Sequence, residues 1–312
     1  MKNNYKIVAI TPSGRRNYLE ILYKYMCKNK HILDRWDLWV NTENSEDLEY
    51  MKNLSNNDSF VNLVYPTWPY YRDCPNLSLA PFWSKATDED TIYVRFDDDV
   101  VFVADNTIEN LVNFRLEHEE YFFIYPFIIN NPFHSKILQD RGLIDNRHGI
   151  IRTHKELAML GPSDPVALTN PSFARYLHET FIDSYQKGDY NKFMCDEKIV
   201  FEIGDTSYKY GTNKTSELVT DGGPQVSINC VCWFGHTFKK ICPINDCYFE
   251  GNSDQSELTD EEAYLTIVKT KDLGMPSCTA PNTLVSHFLF GPQRRHDGMI
   301  DILQKYKDIS NV

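Results

Sequence analysis

The chain has 312 residues, enough for one large domain or two small ones with a full core. Its 32 lysines and arginines stand against 44 aspartates and glutamates, a net charge of -12 with no local basic patch, which disfavours a nucleic-acid partner. Eight cysteines without a scaffold pattern, an opening MKNNYKIVAI that runs at once into polar residues, and no apolar run near the roughly 20 residues of a membrane span predict a cytoplasmic protein without a transmembrane segment.

Residues 5–10 (YKIVAI) read as a first strand and residues 11–14 (TPSG) as the turn that leaves it. A helix follows, with Ser13 as its N-cap and Tyr18, Ile21, Leu22, Tyr25 and Met26 on one face up to about Lys28. Strand, small-residue loop and helix together present backbone N–H groups and a helix N-terminus to an anion, which makes Thr11, Ser13, Arg15 and Arg16 candidate phosphate contacts. Residues 37–40 predict a second strand, 45–54 a helix capped by Ser45, and 60–65 a third strand. The stretch 66–86 is dense in rings and prolines, so it predicts a pocket wall or rim, with Arg72 and Lys85 as further cations.

Residues 91–103 (TIYVRFDDDVVFV) carry the most distinctive chemistry. Ile92, Val94 and Phe96 alternate with Tyr93 and Arg95, so Asp97 and Asp99 fall two apart at the end of a strand. On extended backbone two such carboxylates project to one side and can share a hard cation such as Mg2+ or Mn2+. Aspartate runs also occur in solvated turns, but apolar runs on both sides, and the habit of open α/β sheets to bind ligands at strand carboxyl ends, favour a site.

A helix over 106–117 and a strand over 121–126 complete an alternation that predicts a doubly wound, mostly parallel sheet with right-handed crossovers. Residues 127–190 break the pattern and read as an insertion or lid, with one clear helix over 172–187. Strand-like stretches follow at 198–203 and 226–234, separated by a turn at 221–224, where Gly222 and Gly223 serve turn geometry or the close approach of a sugar. Cys230, Cys232, Cys242 and Cys247 leave a zinc site open beside the commoner free thiol. Residues 259–266 (TDEEAYLT) form a helix start, with Thr259 or Asp260 as cap and Glu261 and Glu262 in the first turn, and a carboxylate so placed in a cleft can act as a general base. In 283–290 (TLVSHFLF) a single histidine, His287, sits in an apolar run just before Arg294 and Arg295. An amphipathic helix over 296–307 closes the chain, with Met299, Ile300, Leu303 and Tyr306 turned to the core.

YVRFDDDVVFV, the TPSGRRN loop after the first strand, TDEEAYL and SHFLFGPQR together resemble the nucleotide-sugar-dependent glycosyltransferases of the GT-A fold. The resemblance implies a GT-A-like, Rossmann-like α/β domain, with a nucleotide-sugar half over 1–125 and an acceptor half over 126–312. It implies Mn2+ or Mg2+ on Asp97 and Asp99, with His287 as a further ligand and Asp98 against ribose or sugar. Arg15, Arg72, Lys85, Arg95 and Arg294 would then attend the donor, expected to be a UDP-sugar, with Asp260 as first choice and Glu261 as second for the base that activates a glycan or other hydroxyl acceptor. Two rivals are weighed: a nucleotidyltransferase acting on sugar phosphates, expected to carry a glycine-rich, lysine-bearing loop where TPSGRRN has one glycine, and a non-catalytic carbohydrate-binding protein built on the rings from Trp68 to Trp83.

Overall fold

The structure is a computed structural model and describes residues 4–65, 79–152, 164–204, 206–210, 217–242, 261–295 and 299–311. It has the α/β architecture that the alternation predicts: among the described residues, a nine-stranded central sheet flanked by helices, Rossmann-like in its amino-terminal half. There β1 (Lys6–Ser13), β2 (Arg35–Val40), β3 (Val61–Val64) and β4 (Thr91–Phe96) run parallel in the order β3-β2-β1-β4. The connections between β1, β2 and β3 are α1 (Arg16–Lys28) and α2 (Ser45–Asn57), whose apolar faces bury Leu19, Leu22, Met26 and Met51.

Several boundaries differ from the sequence expectation, each for a local reason. Residues 11–13 do not turn but stay in β1, because they pair with β2 as far as Ser13 opposite Val40, which confines the turn to Gly14 and Arg15. Ser13 therefore cannot cap α1: Arg15 is the N-cap residue, and the Ser13 hydroxyl donates to the Thr11 carbonyl at 2.7 Å. The cap of α2 is Asn44, whose side chain accepts from the N–H groups of Glu46 and Asp47, so Ser45 lies within the helix.

The short helix α3 (Ala80–Trp83) drives Phe82 and Trp83 into the core. Trp83 stacks with Phe238 and meets Trp233, both with ring centroids 5.1 Å away, so it is a core residue and not a sugar platform. Trp68 lies outside the described residues.

After β4 the chain turns through the three aspartates into β5 (Val100–Val103), which is not a neighbour of β4. The order continues β4-β10-β6-β11-β5, where β6 is Ile124–Ile129, β10 is Cys230–Phe234 and β11 is Ser277–His287. β10 is antiparallel to β4 and β6, while β11 is parallel to β6 and antiparallel to β5. A three-residue strand, β7 (Ile199–Phe201), pairs with the start of β11, and β8 (Thr206–Tyr210) with β9 (Glu217–Gly222) forms a separate hairpin. Residues 127–129, expected in the insertion, belong to β6.

α4 (Thr107–Glu117) and α5 (Pro132–Asp140) flank this half, and α6 (Pro171–Gln186) buries Phe173, Leu177 and Phe181. Residues 221–222 are in β9 instead of a turn. Gly222 and Gly223 serve a close approach to protein and not to sugar: a Cβ on Gly222 would lie 2.4 Å from Ile267 Cγ2, and one on Gly223 2.7 Å from the Thr266 carbonyl oxygen. The strand expected over 226–234 is halved, since 226–229 are buried outside any strand. α7 (Gly235–Lys239) follows β10 directly.

The acidic segment begins α8 (Glu261–Ala263), continues as a π-helical turn over Tyr264–Lys269 and ends in α9 (Thr270–Leu273). The last helix, α10 (Ile300–Ser310), starts later than expected and leaves Ile300 78% exposed, while Ile302, Tyr306 and Ile309 take the core face. Cys230, Cys232 and Cys278 are buried free thiols, with burial pushing Cys232 up to about 12. No described cysteine joins a metal-ligating group, and Cys247 lies outside the described residues. No helix among the described residues is long and apolar enough to cross a membrane.

Candidate metal and phosphate site

Asp97, Asp98 and Asp99 form a turn in which the Val100 N–H donates to the Asp97 carbonyl at 3.0 Å. The shared direction of Asp97 and Asp99 therefore comes from a turn at the carboxyl end of β4 and not from extended backbone. The antiparallel partner β10 fixes one side of this turn, since the Asp97 N–H donates to the Asn229 carbonyl at 2.8 Å. The other side is fixed by β11: the Phe288 N–H donates to the Asp99 carbonyl at 2.9 Å, and the strand register sets His287 opposite Val100.

As a result Asp97, Asp99 and His287 converge, with one ligand atom from each lying within 4.8 Å of the others. His287 Nδ1 is buried without a hydrogen-bond partner among the described residues. Asp99 Oδ1 sits 3.3 Å from His287 Nε2 and 3.1 Å from Arg15 without a well-formed hydrogen bond to either. Two oxygens and a nitrogen around orphaned buried atoms suit a hard or borderline divalent cation such as Mg2+ or Mn2+.

Cations surround the turn. Arg15 reaches over it from the start of α1: its Nε donates to both oxygens of Asp98 at 3.0 and 3.1 Å, a further nitrogen pairs with Asp98 Oδ1, and Nη1 donates to Asp99 at 3.1 Å. The Gly14 N–H donates to Asp98 at 3.1 Å. Arg294 donates to Asp99 Oδ2 at 2.8 Å and to the Leu289 carbonyl at 3.1 Å. Burial works against the charge of Asp99, but Arg15, His287 and Arg294 more than offset it and hold its carboxyl well below the usual range. For Asp98 burial prevails over Arg15 and pushes the carboxyl up.

Beside the turn opens a cleft of about 370 Å3, lined by Arg95, Asp97, Asn229, Glu261, Glu262, His287 and Arg294 with apolar Leu79, Leu168 and Phe290. Arg95 is buried: it donates to Asp97 at 3.0 Å and to Glu261 at 3.2 Å. Glu261 also accepts from Trp83 Nε1 at 2.7 Å. Glu262 accepts from the Ile228 N–H at 2.9 Å. Among the described residues, and with all groups ionised, five carboxylates (Asp97, Asp98, Asp99, Glu261, Glu262) face three guanidiniums (Arg15, Arg95, Arg294) here, an excess of two negative charges. One divalent cation would balance it.

The other expected contacts are not brought together. Thr11 is buried with its hydroxyl accepting from Trp36 Nε1 at 3.0 Å, and Ser13 is buried beside it. Arg16 turns away to Glu20 and Tyr50, and Lys85 is exposed beyond α3. Arg72 and Asp260 lie outside the described residues. Missed by the sequence reading were Asn229, which donates to Asp97 at 3.3 Å, and Glu262; the only sequence signal for the latter was its place beside Glu261.

No family model matches the chain, and no curated protein matches its sequence. Among solved structures it is similar to a 4-diphosphocytidyl-2C-methyl-D-erythritol synthase from Anaerococcus prevotii DSM 20548, at 10% identity and a TM-score of 0.40, over 98% of this chain and 99% of that one. It is also similar to a CMP:2-keto-3-deoxy-manno-octonic acid synthetase complexed with CTP, at 9% identity and a TM-score of 0.40, over 90% of each chain. These likenesses concern the fold. They also correct the expectation of glycosyl transfer, because both proteins are named as synthases of cytidine-nucleotide conjugates and neither as a glycosyltransferase. The reason for the misreading is physical: paired aspartates, a divalent cation and arginines answer to a nucleotide's phosphates, whichever bond then breaks.

Proposed function

We propose that the chain is a divalent-cation-dependent nucleotidyltransferase that joins the nucleoside monophosphate part of a nucleoside triphosphate to a sugar phosphate. The observation that carries this reading is the convergence of Asp97, Asp99 and His287 under Arg15 and Arg294, at the mouth of a cleft lined by polar groups. In the reaction an oxygen of the acceptor phosphate forms a bond to the α-phosphorus, and the bond from that phosphorus to its bridging oxygen breaks. Pyrophosphate leaves with the electron pair. A phosphate acceptor is already ionised and needs no general base, which accords with a Glu261 whose oxygens are engaged by Trp83 and Arg95.

Bound at Asp97, Asp99 and His287, the cation would neutralise charge on the phosphate oxygens as a Lewis acid. Arg15 and Arg294 are the groups that would bind and orient the triphosphate, exchanging carboxylate for phosphate oxygens. On this reading residues 1–125 hold the nucleotide and residues 126–312 the acceptor, with Glu262, Ser227 and Asn229 offering hydrogen-bonding groups to a polyhydroxylated acceptor. The loop after β1 carries one glycine and no lysine, and Arg15 there is the cation.

The test is pyrophosphate release from each of the four common nucleoside triphosphates with a panel of sugar phosphates, with Mg2+ or Mn2+ and with chelator. Release that needs the cation, Asp97 and Asp99 is expected. Cation-dependent release of nucleoside diphosphate alone, or no response to any triphosphate, would overturn the proposal.

A further inference from the structure

Glu261 lies in the cleft, yet its geometry is that of a group turned inward. Its Oε2 accepts from Trp83 Nε1 at 2.7 Å and its Oε1 from Arg95 Nη1 at 3.2 Å. Arg95 is two residues before Asp97 and spends its other terminal nitrogen on Asp97 Oδ1 at 3.0 Å. The guanidinium is buried, with its carbon 5.1 Å from the centre of the Trp83 ring. Burial works against its charge, but Asp97 and Glu261 more than offset it and keep it ionised.

A fixed positive charge in contact with a metal ligand is a rival of the metal. At short range and low dielectric that rivalry is strong, and a guanidinium facing one carboxylate alone grips both its oxygens. Here the fork is divided: one arm goes to Glu261, the other to a single oxygen of Asp97, whose second oxygen accepts from the Asn229 amide at 3.3 Å. Glu261 balances the charge of Arg95, and Trp83 holds Glu261 where it can do so.

We propose that Glu261 is a positioning residue that restrains Arg95, so that the guanidinium does not close on both oxygens of Asp97 and compete with a divalent cation for them. The inference rests on the cation reading above and goes beyond it, because it gives Glu261 a role through Arg95 in place of contact with a substrate. The whole group is assembled across the fold, Glu261 being 166 residues from Arg95 and 178 from Trp83.

The experiment measures Mn2+ binding directly, by loss of the free-ion electron paramagnetic resonance signal on titration with full-length protein. Wild type, Asp97→Asn, Glu261→Gln, Arg95→Gln and the double variant Arg95→Gln/Glu261→Gln are compared, with native near-ultraviolet circular dichroism required of each. Glu261→Gln should weaken Mn2+ by ~10- to 100-fold, the range for residues that orient metal ligands. Arg95→Gln should bind at least as tightly as wild type, and the double variant should recover most of the loss, a coupling that a purely structural role does not give. Should Glu261→Gln fail to fold, the signs for Arg95→Gln and the double variant decide. Unchanged affinity in Glu261→Gln, or weakened binding in Arg95→Gln, would overturn the positioning role while the cation site stands. No binding by wild type would overturn both.

Discussion

Arg15 and Arg294 leave 31% and 40% of their side chains exposed at the aspartate turn, whereas Arg95, on the other side of the same turn, leaves 5%. All three bond to aspartates of one short run. Exposure sets what each can do: an accessible guanidinium can exchange a carboxylate for a phosphate at little cost, while a buried one clamped between Asp97 and Glu261 can only hold its neighbours. One side of the turn is therefore suited to receive a charged ligand and the other to keep the turn rigid.

Removing the aspartate that both exposed arginines hold should have the largest effect. Asp99→Asn is expected to lower cation-dependent pyrophosphate release by about a thousandfold, several kcal/mol of charge stabilisation, measured as initial rates at saturating Mg2+. Behind the receiving side, His178 Nε2 donates to the Phe288 carbonyl at 2.7 Å and Nδ1 accepts from Tyr306, so the ring is neutral and burial lowers its pKa to about 4. The unfolded chain then binds the extra proton below the ordinary value of 6.5, and stability that is full above pH 6.5 falls as the pH drops towards 4. Urea denaturation should show a loss of roughly 3 kcal/mol across that window, and His178→Gln should flatten the slope.

The exposed arginines give the next smaller effect. Arg15→Ala and Arg294→Ala should each raise the KM for the triphosphate about tenfold, as loss of a charged hydrogen bond would, with less change in kcat. If instead either variant abolished cation binding, the distinction between the two sides would fail. The smallest effect belongs to Arg16→Ala: the side chain faces Glu20, and triphosphate KM should stay within about twofold of wild type.

Much of this was legible in the chain. The alternation in 91–96, the aspartates after it and a lone histidine before two arginines pointed to the end of β4, to His287 and to Arg294, though with the aspartates on extended backbone and not in a turn. The fold class followed from strand and helix alternation through the first 125 residues. Less legible were the endings of elements: Ser13 looked like a cap because the pairing of 11–13 with β2 is invisible locally, and Trp83 looked like a rim residue because nothing in a ring-rich loop says which ring faces inward.

Periodicities and element types can be read locally, since alternation, capping and charge runs act over a few residues. The sequence also set the aspartates at a strand end, where the chain must turn. Which distant groups complete them follows from how the sheet is assembled. Arg294 meets Asp99 across 195 residues and Glu261 meets Arg95 across 166, contacts that depend on β10 and β11 entering the sheet beyond β4 in an order no local pattern records. The chemistry followed the same division: carboxylates and arginines announce a phosphate ligand, but whether a carboxylate faces a substrate or a neighbouring guanidinium depends on burial, and burial is a property of the fold.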